Sequence, residues 1–227
     1  MAFSQSRRVL VTLDGPAGAG KSSLAKRLAR RLNLLYLESG AFYRAVALMA
    51  GRQQGDLLSS QWLGQFLETF QLQVYPGADG LIIMTNGQDI SLVIREPHVS
   101  QGASLVATLR PVRQWVQAAL RDIAAAGGVI AEGRDMGTRV FPEAEVKIFL
   151  DASLEIRAYR RWLELQTQGK LLDEQVVRED MALRDQRDRE RQEDPLRVPV
   201  GAHCIDSTVY NLDQVEKICF HLIQPYV

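Results

Sequence analysis

Gly15-Pro16-Ala17-Gly18-Ala19-Gly20-Lys21-Ser22 is the stretch on which the fold turns. It fits the pattern G-x-x-x-x-G-K-[ST] without departure, and its flanks are those the pattern requires. Before it, residues 8–14 run from Arg8 through Val9, Leu10, Val11 and Leu13 to Asp14, which predicts a buried strand. After it, Leu24, Ala25, Leu28 and Leu32 recur at helical spacing, which predicts an amphipathic helix over 21–32. The glycines let successive backbone N–H groups point inward around a phosphate chain, and the helix N-terminus adds the positive end of its dipole. Gly15, Pro16, Ala17, Gly18, Ala19, Gly20, Lys21, Ser22 and Ser23 are thus expected to cradle a nucleoside triphosphate such as ATP. Lys21 is expected to reach the β- and γ-phosphates, and the Ser22 hydroxyl to sit on Mg²⁺.

Outward from this loop, strand and helix alternate at both ends of the chain. Residues 34–37, 129–131, 146–150 and 204–206 read as further strands. Residues 39–50, 111–126, 154–168, 173–192 and 212–223 read as helices, the second opened by Pro111 and ended by Gly127-Gly128. Such alternation predicts an α/β fold, a parallel sheet with helices on its faces. Residues 51–104 break it: Ser59-Ser60 caps a helix through Phe70, and 71–75 with 81–85 form a small antiparallel hairpin. That region is read as an insertion forming a second lobe.

The chain has 227 residues, 46% of them hydrophobic and 24% charged, which suits one α/β domain with an insertion. Its apolar runs, such as 146–150 broken by Lys147, are too short to cross a bilayer, and the first eight residues lack the apolar stretch of a secretion signal. A cytoplasmic enzyme with no membrane partner is expected. The formal net charge is zero, which argues against nucleic acid as a partner. Cys204 and Cys219 show no metal spacing and are read as buried thiols. Of the 27 basic residues 22 are Arg, whose planar fork matches phosphate oxygens two at a time, although Arg-rich codon usage would leave the same mark.

Three clusters stand where a ligand opposite the triphosphate would lie. They are Glu38-Ser39-Gly40-Ala41-Phe42-Tyr43-Arg44, Glu132-Gly133-Arg134-Asp135-Met136-Gly137-Thr138, and the run from Arg184 to Arg191. In the last, Arg184, Asp188 and Arg191 share one helical face. Taken singly, these are a helix cap, a loop salt bridge and a solvated charged face. Taken together around one crevice, they describe an acceptor site. The GTPase signatures D-x-x-G and N-K-x-D are absent from the chain.

These motifs, with residues 146–152, resemble the bacterial cytidylate kinases, P-loop nucleoside monophosphate kinases, over about Val9 to Val215. The resemblance implies a P-loop NTPase core with a five-stranded parallel sheet flanked by helices, a monophosphate-binding insert with a small antiparallel sheet, and a short lid. It divides the chain into core (1–38), insert (39–103), core (104–156), lid (157–172) and core (173–227). It implies transfer of the ATP γ-phosphoryl to CMP or dCMP by a monomer that needs Mg²⁺. Arg44, Arg134 and Arg191 match positions that hold the acceptor phosphate, with Ser39 in the turn before Arg44. Ser104, Arg113 and Asp135 match those that read cytosine, and Arg184 and Asp188 those that contact the ribose. Arg157, Arg160 and Arg161 match the lid arginines, which join Lys21 and Arg134 in catalysis. Asp135 is pictured at the crevice rim beside Arg134, accepting from the cytosine amino group. Two departures stand out: Glu38 and Glu132 replace a common Asp, and Arg110-Pro111 reverses the usual order. The rival readings are a P-loop kinase of another small acceptor and a nucleotide-binding switch that transfers nothing.

Overall fold

The computed structural model describes residues 9–77 and 80–227. The strand expected from Arg8 is observed as β1 (Leu10–Asp14); Arg8 itself lies outside the described residues. The apolar stripe after the loop forms α1 (Lys21–Leu32), which Asn33 closes in the left-handed conformation. Strands β2 (Leu35–Glu38), β6 (Val129–Gly133), β7 (Val146–Asp151) and β8 (His203–Asp206) complete a five-stranded sheet. All its pairings are parallel, in the order β2-β6-β1-β7-β8. The order reverses direction at β1, so the crevice beyond its carboxyl end lies at a topological switch point, where open α/β sheets bind ligands.

Between β2 and β6 run α2 (Ser39–Arg52), α3 (Ser60–Thr69), β3 (Gln73–Gly77), β4 (Gly80–Thr85), β5 (Gln88–Asp89), α4 (Pro97–Val106) and α5 (Arg110–Ala124). Ser59 caps α3 as expected, accepting from the Trp62 N–H at 3.2 Å. The hairpin gains a third strand, β5, and α4 is an element the apolar pattern does not announce. This segment shares one apolar cluster with the sheet: Phe42, Val46, Leu63, Ile83, Val106, Val116 and Leu120 pack with Val129 and Ala131. A second cluster fills the opposite face, where Val11, Leu13, Leu24, Leu28, Ile148 and Leu150 meet Val215, Cys219 and Ile223 of α8 (Leu212–Ile223).

Helices α6 (Leu154–Thr167) and α7 (Glu174–Glu190) pack on each other through Ala158, Leu165, Val177 and Met181, with Ala17 of the phosphate loop against them. The Asp173 side chain caps α7, and the helix ends at Glu190 because Arg191 turns extended, at ψ 142°. One thiol departs from expectation. Cys219 is buried, and burial pushes it up to about 12, but Cys204 on the edge strand β8 is exposed. An edge strand leaves one side without a covering neighbour, which composition does not reveal.

Candidate active site

The phosphate loop is built as a close approach. Gly15 has φ +145°, and a Cβ there would lie 1.9 Å from the Leu150 carbonyl oxygen of β7. Gly18, at φ +75°, leaves no room for a side chain between Met181 and Arg157. Lys21 is 7% exposed and donates to the Pro16 carbonyl at 2.6 Å. Burial, then the nearby Arg134 guanidinium, brings its pKa well below the usual lysine range. Ser22 Oγ donates to Glu132 Oε1 at 2.7 Å, and the Tyr36 hydroxyl donates to the same oxygen at 2.7 Å. Glu132 Oε2 is buried with no hydrogen-bond partner. Burial first, then Glu38, raises the Glu132 carboxyl. A hydroxyl beside a buried carboxylate with one oxygen unsatisfied is the donor set a hard divalent cation takes. Ser22 and Glu132 therefore fit Mg²⁺.

The segment after β6 is held to β1 by Asp14, whose carboxylate accepts the N–H groups of Met136 and Gly137 at 2.8 and 2.7 Å. Gly137 is needed here, because a Cβ would meet Thr12 Oγ1 at 2.8 Å and Pro199 at 2.9 Å. The chain then makes a wide turn, with the N–H groups of Val140 and Phe141 bonded five residues back to Asp135 and Met136. This turn aims Arg134 and Asp135 in different directions. Arg134 Nε donates to Asp188 Oδ2 of α7 at 2.7 Å. Burial pulls Asp188 upward, but Arg134, Arg184 and Arg191 outweigh it and hold its carboxyl below the usual range.

Asp135 is not a rim residue beside Arg134. It is 2% exposed, and its oxygens accept from Arg113 (2.5 Å) and Arg191 (3.4 Å). Arg113, 1% exposed, also donates to the Ala107 carbonyl at the end of α4 and to Asp194. Ser104 lies one turn earlier on α4, 3.5 Å from Arg187. Ser39 is buried at the mouth of β2, its Oγ where a side chain on Gly133 would fall. Arg44 folds back onto Glu38 at 2.5 Å, leaving its Nε buried and without a partner.

Arg184 lies among cations. Its guanidinium makes no hydrogen bond among the described residues. Burial, then Arg134, outweigh the opposing Asp188 and, with Arg44 and Arg161, bring its pKa down to about 10. The lid arginines separate by role. Arg157, 3% exposed, donates to the carbonyls of Ala152 and Ala17 and pairs with Asp185 at 2.6 Å. Arg160 holds Ser207, whose hydroxyl donates to the Ala19 carbonyl at 3.1 Å. Among the described residues the Arg161 side chain pairs only with Glu164, at the surface. Arg157 thus grips the phosphate loop directly, and Arg160 reaches it only through Ser207.

The sequence reading missed the partners rather than the motifs: Asp14, Tyr36, Asp185, Asp194 and Ser207. Asp14 carried a usable signal, an acid ending an apolar strand next to a phosphate loop. The other four meet their partners only through the tertiary fold.

A family model described as cytidylate kinase matches residues 11–225. A cytidylate kinase of Solibacter usitatus is 41% identical over 235 residues, covering 100% of this chain and 97% of its own. That of Geobacillus kaustophilus is 42% identical over 217 residues, covering 96% and 97%. Among solved structures, an uncharacterised protein of Eubacterium ventriosum superposes with a TM-score of 0.50 at 11% identity, over 96% of this chain and 99% of that one. That likeness speaks to the fold alone. With a phosphate loop at the switch point, an arginine-lined pocket opposite it, and these matches spanning nearly its whole length, the chain belongs to the cytidylate kinase family.

Proposed function

We propose that this chain transfers the γ-phosphoryl group of ATP to CMP or dCMP, giving ADP and CDP or dCDP. The observation that carries the reading is Arg184, a guanidinium with no hydrogen-bond partner among the described residues, crowded by Arg134, Arg44, Arg161 and Lys21 with Asp188 as the opposing charge. Such a cluster is unfavourable until a polyanion enters it. Two phosphate-bearing ligands meeting between the loop and α7 would supply that charge. A switch that only binds nucleotide has no use for the second set of arginines.

In this reading Gly15 to Ser23 cradle the triphosphate and Lys21 turns from Pro16 to the transferring group. When bound, Mg²⁺ would neutralise charge on the β- and γ-phosphates, with Ser22 and Glu132 as its protein side. Arg157 fixes the loop backbone directly and Arg160 through Ser207, and Arg161 is left to serve the donor. Arg44, Arg134 and Arg191 hold the acceptor phosphate, Arg184 and Asp188 its ribose side, and Ser39 closes the pocket wall. An acceptor phosphate oxygen forms a bond to the γ-phosphorus while the bridge to the β-phosphate breaks. No general base is required, because the attacking oxygen is already anionic. The protein's work is alignment and charge neutralisation. Closure of residues 157–172 over the insert would exclude water, which would otherwise intercept the phosphoryl group. Asp135, with Arg113 and Ser104, reads the base. Its carboxylate attracts the N4 amino donor of cytosine and repels the O4 acceptor of uracil.

A monomeric cytoplasmic enzyme acting on small molecules completes the reading. It agrees with the zero net charge, and no helix among the described residues is long and apolar enough to cross a membrane. The test is ADP formation with CMP, dCMP, UMP, AMP and GMP in turn. The reading requires CMP or dCMP to give the highest kcat/KM; preference for a purine nucleotide would refute it.

A further inference from the structure

We infer that Asp194 is a positioning residue for acceptor-base recognition, acting through Arg113 and Arg191 rather than by touching substrate. This rests on the reading that Asp135 and Arg113 face the cytosine ring.

Beyond α7 the chain folds back sharply: the Leu196 N–H bonds to the Asp188 carbonyl at 2.7 Å, and Asp194 takes a left-handed φ of 46°. Asp and Asn enter that region more readily than other side-chain-bearing residues. The turn aims the Asp194 carboxylate at α5. Oδ2 accepts from Arg113 Nε at 2.9 Å and from Gln117 Nε2 at 2.6 Å, one helical turn apart on the same face. Oδ1 lies 3.2 Å from Arg139 Nε, in the wide turn after Asp135. At the same time the Asp194 backbone carbonyl accepts from Arg191 Nε at 2.9 Å and from its Nη2 at 2.5 Å.

Both guanidiniums that grip Asp135 are therefore themselves gripped by Asp194, one through its carboxylate and the other through its carbonyl. The consequence is geometric. With Nε committed to Asp194 and Nη1 to Ala107, Arg113 offers Asp135 only its Nη2 edge. A carboxylate held by single N–H contacts keeps lone pairs for a base amino group. One taken by the paired edge of a guanidinium does not. Asp194 also brings a second negative charge to two arginines that otherwise share Asp135. Burial, with Arg113 the next cause, already lowers the Arg191 pKa.

The experiment is Asp194→Asn, which keeps the turn and the backbone carbonyl while removing the charge. Loss of a charge-assisted hydrogen bond at a buried guanidinium should raise KM for CMP about tenfold and cut the CMP-to-UMP ratio of kcat/KM by a similar factor. KM for ATP should stay unchanged. Arg139→Ala, which removes only the exposed partner of Asp194, should leave both KM values and the ratio near wild type. Gln117→Ala, which removes the second donor to Oδ2, should shift the ratio in the same direction by less, and it serves if the Asp194 variant does not fold. An unchanged ratio, or KM for CMP and ATP rising together, overturns the proposal. Asp135→Asn run in parallel separates the two levels of the argument. If it shifts the ratio and Asp194→Asn does not, Asp194 has no positioning role. If neither does, it is the assignment of Asp135 to the base that fails.

Discussion

Ser22 and Glu132 face each other across the floor of the crevice, the Ser22 hydroxyl donating to Glu132 Oε1 at 2.7 Å while Oε2 of that carboxylate stays buried with no partner. A buried carboxylate oxygen left unpaired is costly unless a cation or proton meets it. Glu132→Gln should therefore separate stability from activity. The unliganded variant should melt higher than wild type, because burial already raises the Glu132 carboxyl. Its kcat should fall on the order of 10²-fold, and half-maximal activity should need more Mg²⁺. A Mg²⁺ titration of activity superimposable on wild type would remove Glu132 from the metal site.

Arg184 poses the same opposition with the sign of charge reversed. Its pKa is brought down to about 10 by burial and by Arg134, so the folded, empty protein bears a cost that bound phosphates relieve. Arg184→Leu should raise the nucleotide-free melting temperature, by about 2–4 °C for each kcal/mol recovered in a chain of this size. It should lower kcat on the order of 10²-fold and shrink the stabilisation that nucleotides confer. A variant that melts lower and turns over normally would make Arg184 a structural residue.

Much of this was legible in one dimension. The phosphate loop, α1 and α8 follow from local chemistry, and so does the parallel sheet, because strand–helix alternation admits few other arrangements. Helix α4 was not: His98, Ser100, Gly102 and Ser104 dilute its pattern, and only Pro97 at its first turn marks a start. Strand β5 is two residues long and exists because β4 needs a partner. Within the site, the arginines could be named from spacing, but not who holds them. Adjacency in sequence predicts Asp135 beside Arg134 at the rim. The turn after β6 instead sends Arg134 to Asp188 and Asp135 to Arg113, a choice made by residues 54 and 22 positions away.

Asp14 should give the protein a pH signature. Burial pushes its carboxyl up to about 7, despite the N–H groups of Met136 and Gly137. The unfolded chain titrates near 3.8, so between about pH 4 and pH 7 the folded state holds the proton more tightly. Stability from this group is then present at low pH, is lost as pH rises through that window, and levels off above it. In urea unfolding, the stability of wild type relative to Asp14→Asn should fall by about 2–3 kcal/mol from pH 5 to pH 8. Parallel pH profiles for the two proteins would show that Asp14 does not titrate there.

Arg191 and Arg189 stand two residues apart with opposite surroundings: the Arg191 side chain is 4% exposed against Asp135 and Asp188, whereas Arg189 is exposed. Arg191→Ala should raise KM for CMP, lower kcat, and cost about 3–5 kcal/mol of stability by leaving buried carboxylates short of a partner. KM for ATP should barely move. Arg189→Ala should stay within about 0.5 kcal/mol of wild type and keep full activity. Indistinguishable kinetics in the two variants would reduce this end of α7 to a solvated face.

The central claim is that the arginines opposite the phosphate loop hold a nucleoside monophosphate in line with the donor. Its most direct test follows the γ-phosphoryl group of labelled ATP, with and without CMP. The account predicts label accumulating in CDP, with little free phosphate formed when CMP is omitted. Label released as free phosphate at the same rate whether or not CMP is present would contradict it.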